Sequence, residues 1–358
     1  MTVFNRGNTG HHNGYKLFLG EDLGITDTVN IQHPVLEELY QLQRSQDWNE
    51  FEVDLYQDKL DMINAPKELT DLMVKTLMWQ TAADSIASRS LGTLFGRFTT
   101  DSTLNSVFAV WTMFEDIHAR TYSHIIKQTM DNPQDVFDQL YDNNDVIERL
   151  RPLVAAFNNL ATVDASNDKQ CREAIYLAMV AFFALESTAF MASFAVTFTI
   201  ANTGIFQGIS SDVGLVARDE QVHTRFAHYV LQTIRNDPDW SETVVECKDK
   251  VKTILDAVVQ GEEDSAHYLF SEGREVIGLN AELLIKYVDY KVTPVYESLG
   301  LEHSRVLLKN PLKGLDKYFI QGKVQTANME LQNTAYLTGT IIDDSANLDL
   351  SRFKDIEL

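Results

Sequence analysis

From Ile175 to Ile200 the chain reads IYLAMVAFFALESTAFMASFAVTFTI, an apolar run with one carboxylate, Glu186, near its middle. The run is long enough to cross a bilayer. An ionised carboxylate at that depth is costly in lipid, however, and no basic cluster flanks the run as a membrane orientation signal would. With 44% hydrophobic and 23% charged residues, the chain as a whole has the balance of an ordinary globular protein. A helix apolar all round in such a chain is a buried central helix. The fold must therefore wrap a core around this segment and find a partner for Glu186.

The 358 residues include only 7 Pro and 17 Gly, which favours long helices, and no segment alternates strongly enough to found a sheet. Apolar periodicity predicts helices over residues 33–46, from Pro66 to about 90, over about 103–130, 135–162, 172–201 and 210–235, then 241–260, 263–272 and 276–299. Residues 1–32 are polar and expected to be loosely ordered, 33–309 to form one helical domain, and 310–358 to be an extended tail.

The stripes on two of these helices carry charge where they should be apolar. One reads Leu104, Val107, Phe108, Trp111, then Glu115, His118, Tyr122, Ile125; the other reads Val213, Val216, then Glu220, His223, Ala227, Val230, Ile234. Steps of three and four keep each set on one face. Asp84 precedes Glu115 by 31 residues on a third stripe, and Glu186 precedes Glu220 by 34. One Glu-x-x-His on a helix is usually a surface feature, since charged residues are mostly exposed. Two such pairs in core positions, each with an upstream carboxylate, call for a shared buried partner. Glu and His at i and i+3 lie about 60° apart around the helix axis, so both reach one metal ion. Four carboxylates and two histidines are the inventory of ferritin-like di-iron and di-manganese bundles. The expected fold is therefore all-α: a ferritin-like bundle with additional helices around a dinuclear site. Carboxylate and imidazole donors suit iron or manganese, and no thiolate selects zinc or copper(I).

Tyr122 follows His118 by one turn on the same face. A core tyrosine often does no more than pack. Beside two redox metals it is also a phenol that can lose an electron and a proton. Phe190 and Phe194, one and two turns beyond Glu186, and Val216, one turn before Glu220, are expected to form an apolar pocket around it.

The net charge of −22 disfavours nucleic-acid and anionic-membrane partners. Two isolated cysteines, Cys171 and Cys247, suit a reducing compartment, and the opening MTVFNRGNTGHHNGYK lacks a secretory apolar core. A cytoplasmic location is expected, that of the host if the source is viral.

The strings FEDIHARTYSHI (114–125), ALESTAF (184–190) and VARDEQVH (216–223), with LYQDKLD near residue 60 and the closing DLSRFKDIEL, resemble the radical-generating small subunit of class I ribonucleotide reductase. The resemblance implies that Asp84, Glu115 and His118 hold one metal, that Glu186, Glu220 and His223 hold the other, and that Tyr122 carries a stored radical. It implies a di-iron centre, with dimanganese as the other choice. It further implies that Trp48, Asp219 and the tail residue Tyr336 pass the oxidising equivalent to a large catalytic subunit. That subunit reduces ribonucleoside diphosphates to deoxyribonucleotides with thioredoxin or glutaredoxin as electron source. A homodimer is implied, with the acidic tail docking on the large subunit. Met191 stands where some members have a tyrosine. Two other readings share parts of this pattern: a di-iron bundle oxygenase acting directly on an organic substrate, which would not need Trp48, Tyr336 or the tail, and an iron-storage protein, for which the chain is long.

Overall fold

The computed structural model describes residues 16–21 and 24–319. Its first half holds α1 (Pro34–Arg44), α2 (Tyr56–Asn64), α3 (Lys67–Ser90), α4 (Ser102–Thr129), α5 (Pro133–Asp142) and α6 (Asn144–Thr162). Then come α7 (Asp168–Ala184), a π-helical turn (Leu185–Ala189), α8 (Phe190–Ala201), α9 (Gln207–Asn236), α10 (Ser241–Glu246), α11 (Lys248–Leu269) and α12 (Ala281–Ser298). Among the described residues, β-pairing is confined to two isolated bridges, Phe18–Thr99 and Val276–Leu279.

Local chemistry sets the helix starts. Asp101 accepts from Leu104 N at 2.7 Å to begin α4, and Asn167 and Asn280 do the same for α7 and α12. Proline opens α1 and α5. The helix expected over 135–162 is broken at Asn143, whose side chain caps α6. The break expected near residue 261 is absent, and α11 runs unbroken through Gly261.

Helix α9 has an unusual start. Phe206 sits in the left-handed region, φ 55°, and the cap comes from another helix: Asp58 of α2 accepts from Gly208 N at 3.2 Å and Ile209 N at 2.8 Å. A Cβ on Gly208 would lie 2.3 Å from Asp58 Oδ2, so only glycine admits this approach. Helix α2 was not expected from its sequence.

Four rods form the centre. Helix α3 packs on α4, the α7–α8 rod packs on α9, α3 meets α8, and α4 meets α9. This is the ferritin-like arrangement of two helix pairs. Helix α1 lies across α4 and α9, while α6 and α11 cover α7. The segment Asp168–Ala201 is apolar enough to cross a membrane, but its apolar stretch is wholly buried among the other helices. It is the core helix. Leu17 and Phe18, within the segment expected to be loose, are also buried; the Phe18 ring packs against Phe95, Phe108 and Trp240.

Candidate metal centre

Each central rod brings its carboxylate or Glu-x-x-His pair to the same place. Asp84 comes from α3, Glu115 and His118 from α4, Glu186 from the π-helical turn, and Glu220 and His223 from α9. All six side chains have no solvent exposure. Glu115, His118, Glu220 and His223 offer ligand atoms within 4.8 Å of one another. Each glutamate reaches the histidine of the other helix: Glu220 Oε1 is 3.0 Å from His118 Nδ1, and Glu115 Oε1 is 2.9 Å from His223 Nδ1. Within α9, Glu220 Oε2 lies 2.6 Å from His223 Nδ1. Trp111 Nε1 donates to Glu115 Oε1 at 2.7 Å and orients it.

The charges in this buried cluster act strongly on one another. Burial, with Glu115 and Glu220 nearby, pushes the Asp84 carboxyl well above its usual range, and burial with Glu220 and Glu115 does the same to Glu186. Burial opposes protonation of the two histidines, but the neighbouring carboxylates outweigh it. His118 is raised well above the ordinary imidazole value, chiefly by Glu220, and His223 is raised to about 9. Burial would raise Glu220, yet the two imidazoles hold it below its usual value.

The donor set fits a pair of cations. Asp84 Oδ1 and Oδ2, Glu186 Oε1 and Oε2, Glu115 Oε2 and His223 Nε2 are buried with no hydrogen-bond partner. Leaving a buried polar atom unsatisfied costs about 1–3 kcal/mol. The unsatisfied atoms are carboxylate oxygens and an imidazole nitrogen, so the chemistry that completes them is that of a Lewis acid. Two divalent ions would balance four carboxylates. Cys171 and Cys247 are buried but belong to other surroundings, and the site is one of oxygen and nitrogen donors.

On the His118 side the network continues. His118 Nε2 lies 3.2 Å from Asp219 Oδ2, and the same oxygen accepts from Trp48 Nε1 at 2.7 Å. The Trp48 ring stacks on the His118 ring, with centroids 6.0 Å apart. Arg218 holds the other Asp219 oxygen at 3.1 Å. Tyr122 is fully buried on α4, and its hydroxyl has no partner. Burial and the charges of Asp84, Glu220 and Glu115 push its phenol well above the usual value, so it stays neutral. Phe190 and Phe194 stack one turn apart, with centroids 5.8 Å apart, and Val216 is fully buried on α9. Tyr336 lies outside the described residues.

Residues 26–304 match the family described as ribonucleotide reductase, small chain. The chain belongs to that family. This small chain is 28% identical to the ribonucleoside-diphosphate reductase subunit beta of Haemophilus influenzae, over 96% of each chain. It is 27% identical to the corresponding subunit of Enterobacteria phage T4, over 94% of this chain and 95% of that one. Among solved structures it resembles the ribonucleotide reductase R2 subunit from Clostridium botulinum, with TM-score 0.79, 19% identity, and coverage of 89% of this chain and 98% of that one. It also resembles the dimanganese(II)-NrdF of Streptococcus sanguinis, with TM-score 0.67, 17% identity, and coverage of 83% and 98%. At these identities the structural likenesses establish the fold. Family and buried cluster together imply a dinuclear metal centre in this small chain.

Two features of the site went unread in the sequence. One is the Trp111 hydrogen bond to Glu115. The other is Asp212, two turns before Glu220 on α9: it has no solvent exposure, and neither oxygen has a partner. Burial, with Asp58 and Glu52 nearby, pushes its carboxyl up to about 8, and its charge acts on Tyr122. The spacing of Asp212, Val216 and Glu220 was a signal that could have found it.

Proposed function

We propose that this small chain stores an oxidising equivalent on Tyr122 and delivers it to the large subunit of a class I ribonucleoside-diphosphate reductase. Asp84, Glu115 and His118 would hold one ion, and Glu186, Glu220 and His223 the other. Two bound iron ions, or two manganese ions on the same donors, would supply the one-electron oxidant after reaction with an oxygen-derived species.

The chain's own residues do the rest. Tyr122 would give up an electron to the oxidant that the metal pair supplies and its hydroxyl proton to a carboxylate of the cluster, Asp84 being the one whose charge acts on it most, in a pocket that excludes water and reductants. Phe190, Phe194 and Val216 are read as that pocket's apolar wall. Asp219 holds His118 in one orientation and ties it to Trp48, so that the metal side and the indole share one hydrogen-bonded unit. From Trp48 the equivalent would pass to Tyr336 and on to the large subunit, with the closing segment DLSRFKDIEL as the docking element and a homodimer as the assembly. A cytoplasmic location accompanies this role.

The observation that carries the reading is the Asp219 carboxylate, which joins Trp48 to His118. An oxygenase acting on an organic substrate has no use for a buried indole wired to a ligand histidine. The test is deoxyribonucleotide formation with the large subunit added. The Tyr122→Phe chain is expected to take up both ions and to show background turnover; full turnover by that variant would overturn the proposal.

A further inference from the structure

The π-helical turn that carries Glu186 is braced from behind by a charged side chain. Arg149 of α6 is only 7% exposed. Its Nε and Nη2 donate to the two oxygens of Glu262 on α11, each at 2.6 Å, and Glu262 is itself 2% exposed. Nη2 also donates to the carbonyl of Ala189, the last residue of the turn, at 3.4 Å. The guanidinium carbon sits 3.6 Å from the centroid of the Trp79 ring on α3. That ring meets Phe190 edge-on, with centroids 5.3 Å apart.

A π-turn holds one residue more than the α-helix it interrupts. If it relaxed to α-helix, the residues on one side would rotate by about 100° relative to those on the other. Glu186 would then turn away from Glu220 and His223 of α9. The cluster therefore depends on the turn. The segment LESTA contains no proline, and its one local perturbation is the Ser187 hydroxyl, which donates back to the Phe183 carbonyl.

The bracing group has the features of a positional device. Only arginine offers a planar fork for two carboxylate oxygens together with a face that stacks on an indole. A buried ion pair is a poor way to gain stability, because apolar residues of equal volume often serve as well or better. Retaining one here, against the turn's carbonyl, needs another reason, and orientation of the turn supplies it.

We propose that Arg149, locked by Glu262 and laid on Trp79, is a positioning residue for Glu186 that fixes the π-helical turn and so sets the affinity of the metal position formed with Glu220 and His223. The inference rests on the reading of those three residues as metal ligands.

The test is anaerobic calorimetric titration of the full chain with manganese(II), with thermal melting of each metal-free variant alongside. The parent chain is expected to take up two ions. Arg149→Met/Glu262→Leu removes the pair without stranding a charge. It is expected to melt close to the parent and bind one of the two ions unchanged, with the other at least about 10-fold weaker. Arg149→Lys keeps the charge but loses the fork and the stacking, and should weaken that same ion in the same direction. Should the double variant not fold, Glu262→Gln keeps volume and one acceptor oxygen and is expected to show the same selective loss. Unchanged binding of both ions would overturn the inference. So would equal weakening of both ions together with a lower melting temperature, the mark of a merely structural pair. A parent chain that takes up no second ion would instead overturn the metal reading beneath it.

Discussion

Trp48 and His118 are hydrogen-bonded to the same oxygen, Asp219 Oδ2, at 2.7 and 3.2 Å, although the three residues come from a loop, α4 and α9. The arrangement costs a fully buried carboxylate, so replacing it has a specific consequence. Asp219→Asn keeps the shape but cannot accept from both rings in the same way. Metal affinity or turnover with the large subunit should fall about 10–100-fold. Trp48→Phe should leave metal uptake and the Tyr122 radical intact while turnover drops to background. Paired measurement of radical yield and turnover separates the two effects, and parallel loss of both in Trp48→Phe would contradict the assignment.

Glu186→Leu sets stability against metal binding. In the metal-free chain Glu186 is buried with both oxygens unpartnered, and burial holds its carboxyl well above the usual range. Leucine removes that cost, so the metal-free variant should be more stable by about 1–3 kcal/mol. The parent gains stability from ions that bind only the folded state. In the variant that metal-dependent rise in Tm should shrink. Melting with and without metal reads both, and a variant less stable than the parent when metal-free would contradict the account.

Asp212 gives a pH dependence whose sign is fixed. Its folded-state carboxyl is pushed up to about 8, chiefly by burial and then by Asp58 and Glu52. A carboxyl raised in this way stabilises the fold below its unfolded value, near 4. That stability is lost as pH rises toward the folded value. Asp212→Asn should therefore match the parent near pH 4. It should pull ahead between about pH 4 and 8 and level off above, by on the order of 5 kcal/mol. The measurement is the difference in Tm between the two chains from pH 4.5 to 9, and a difference that does not grow with pH would contradict the burial argument.

The tail can be tested apart from the metals. A peptide spanning Ser345–Leu358 should compete with the whole chain for the large subunit, and a chain ending at residue 322 should form the Tyr122 radical yet give no turnover. Tyr336→Phe should still bind but not turn over. Competition binding and turnover read these outcomes; no competition by the peptide would place the docking element elsewhere.

The stripes on α4 and α9 showed Glu115, His118, Glu220 and His223 because a charge at a core position breaks an otherwise apolar pattern. Asp84 and Glu186 were legible for the same reason, and all six converge in one buried cluster. Helix α2 was missed because YQDKLDMIN buries only Asp58, so it has no apolar stripe to see. The split at Asn143 was missed because asparagine caps look like any polar residue until the turn forms. The π-helical turn leaves no compositional mark, since it is a change of register. Arg149 and Glu262 are 113 residues apart, and in a sequence each looks like a surface charge. Their burial is a property of three-dimensional packing alone.

The central claim is that Tyr122 becomes the oxidised residue. The direct measurement is the electron paramagnetic resonance spectrum of the full chain, loaded anaerobically with ferrous iron and then exposed to oxygen. A persistent tyrosyl signal is expected, absent from Tyr122→Phe loaded to the same metal content. A signal of equal intensity in that variant, or none in the parent with iron or with manganese plus a flavoprotein activator, would contradict the account.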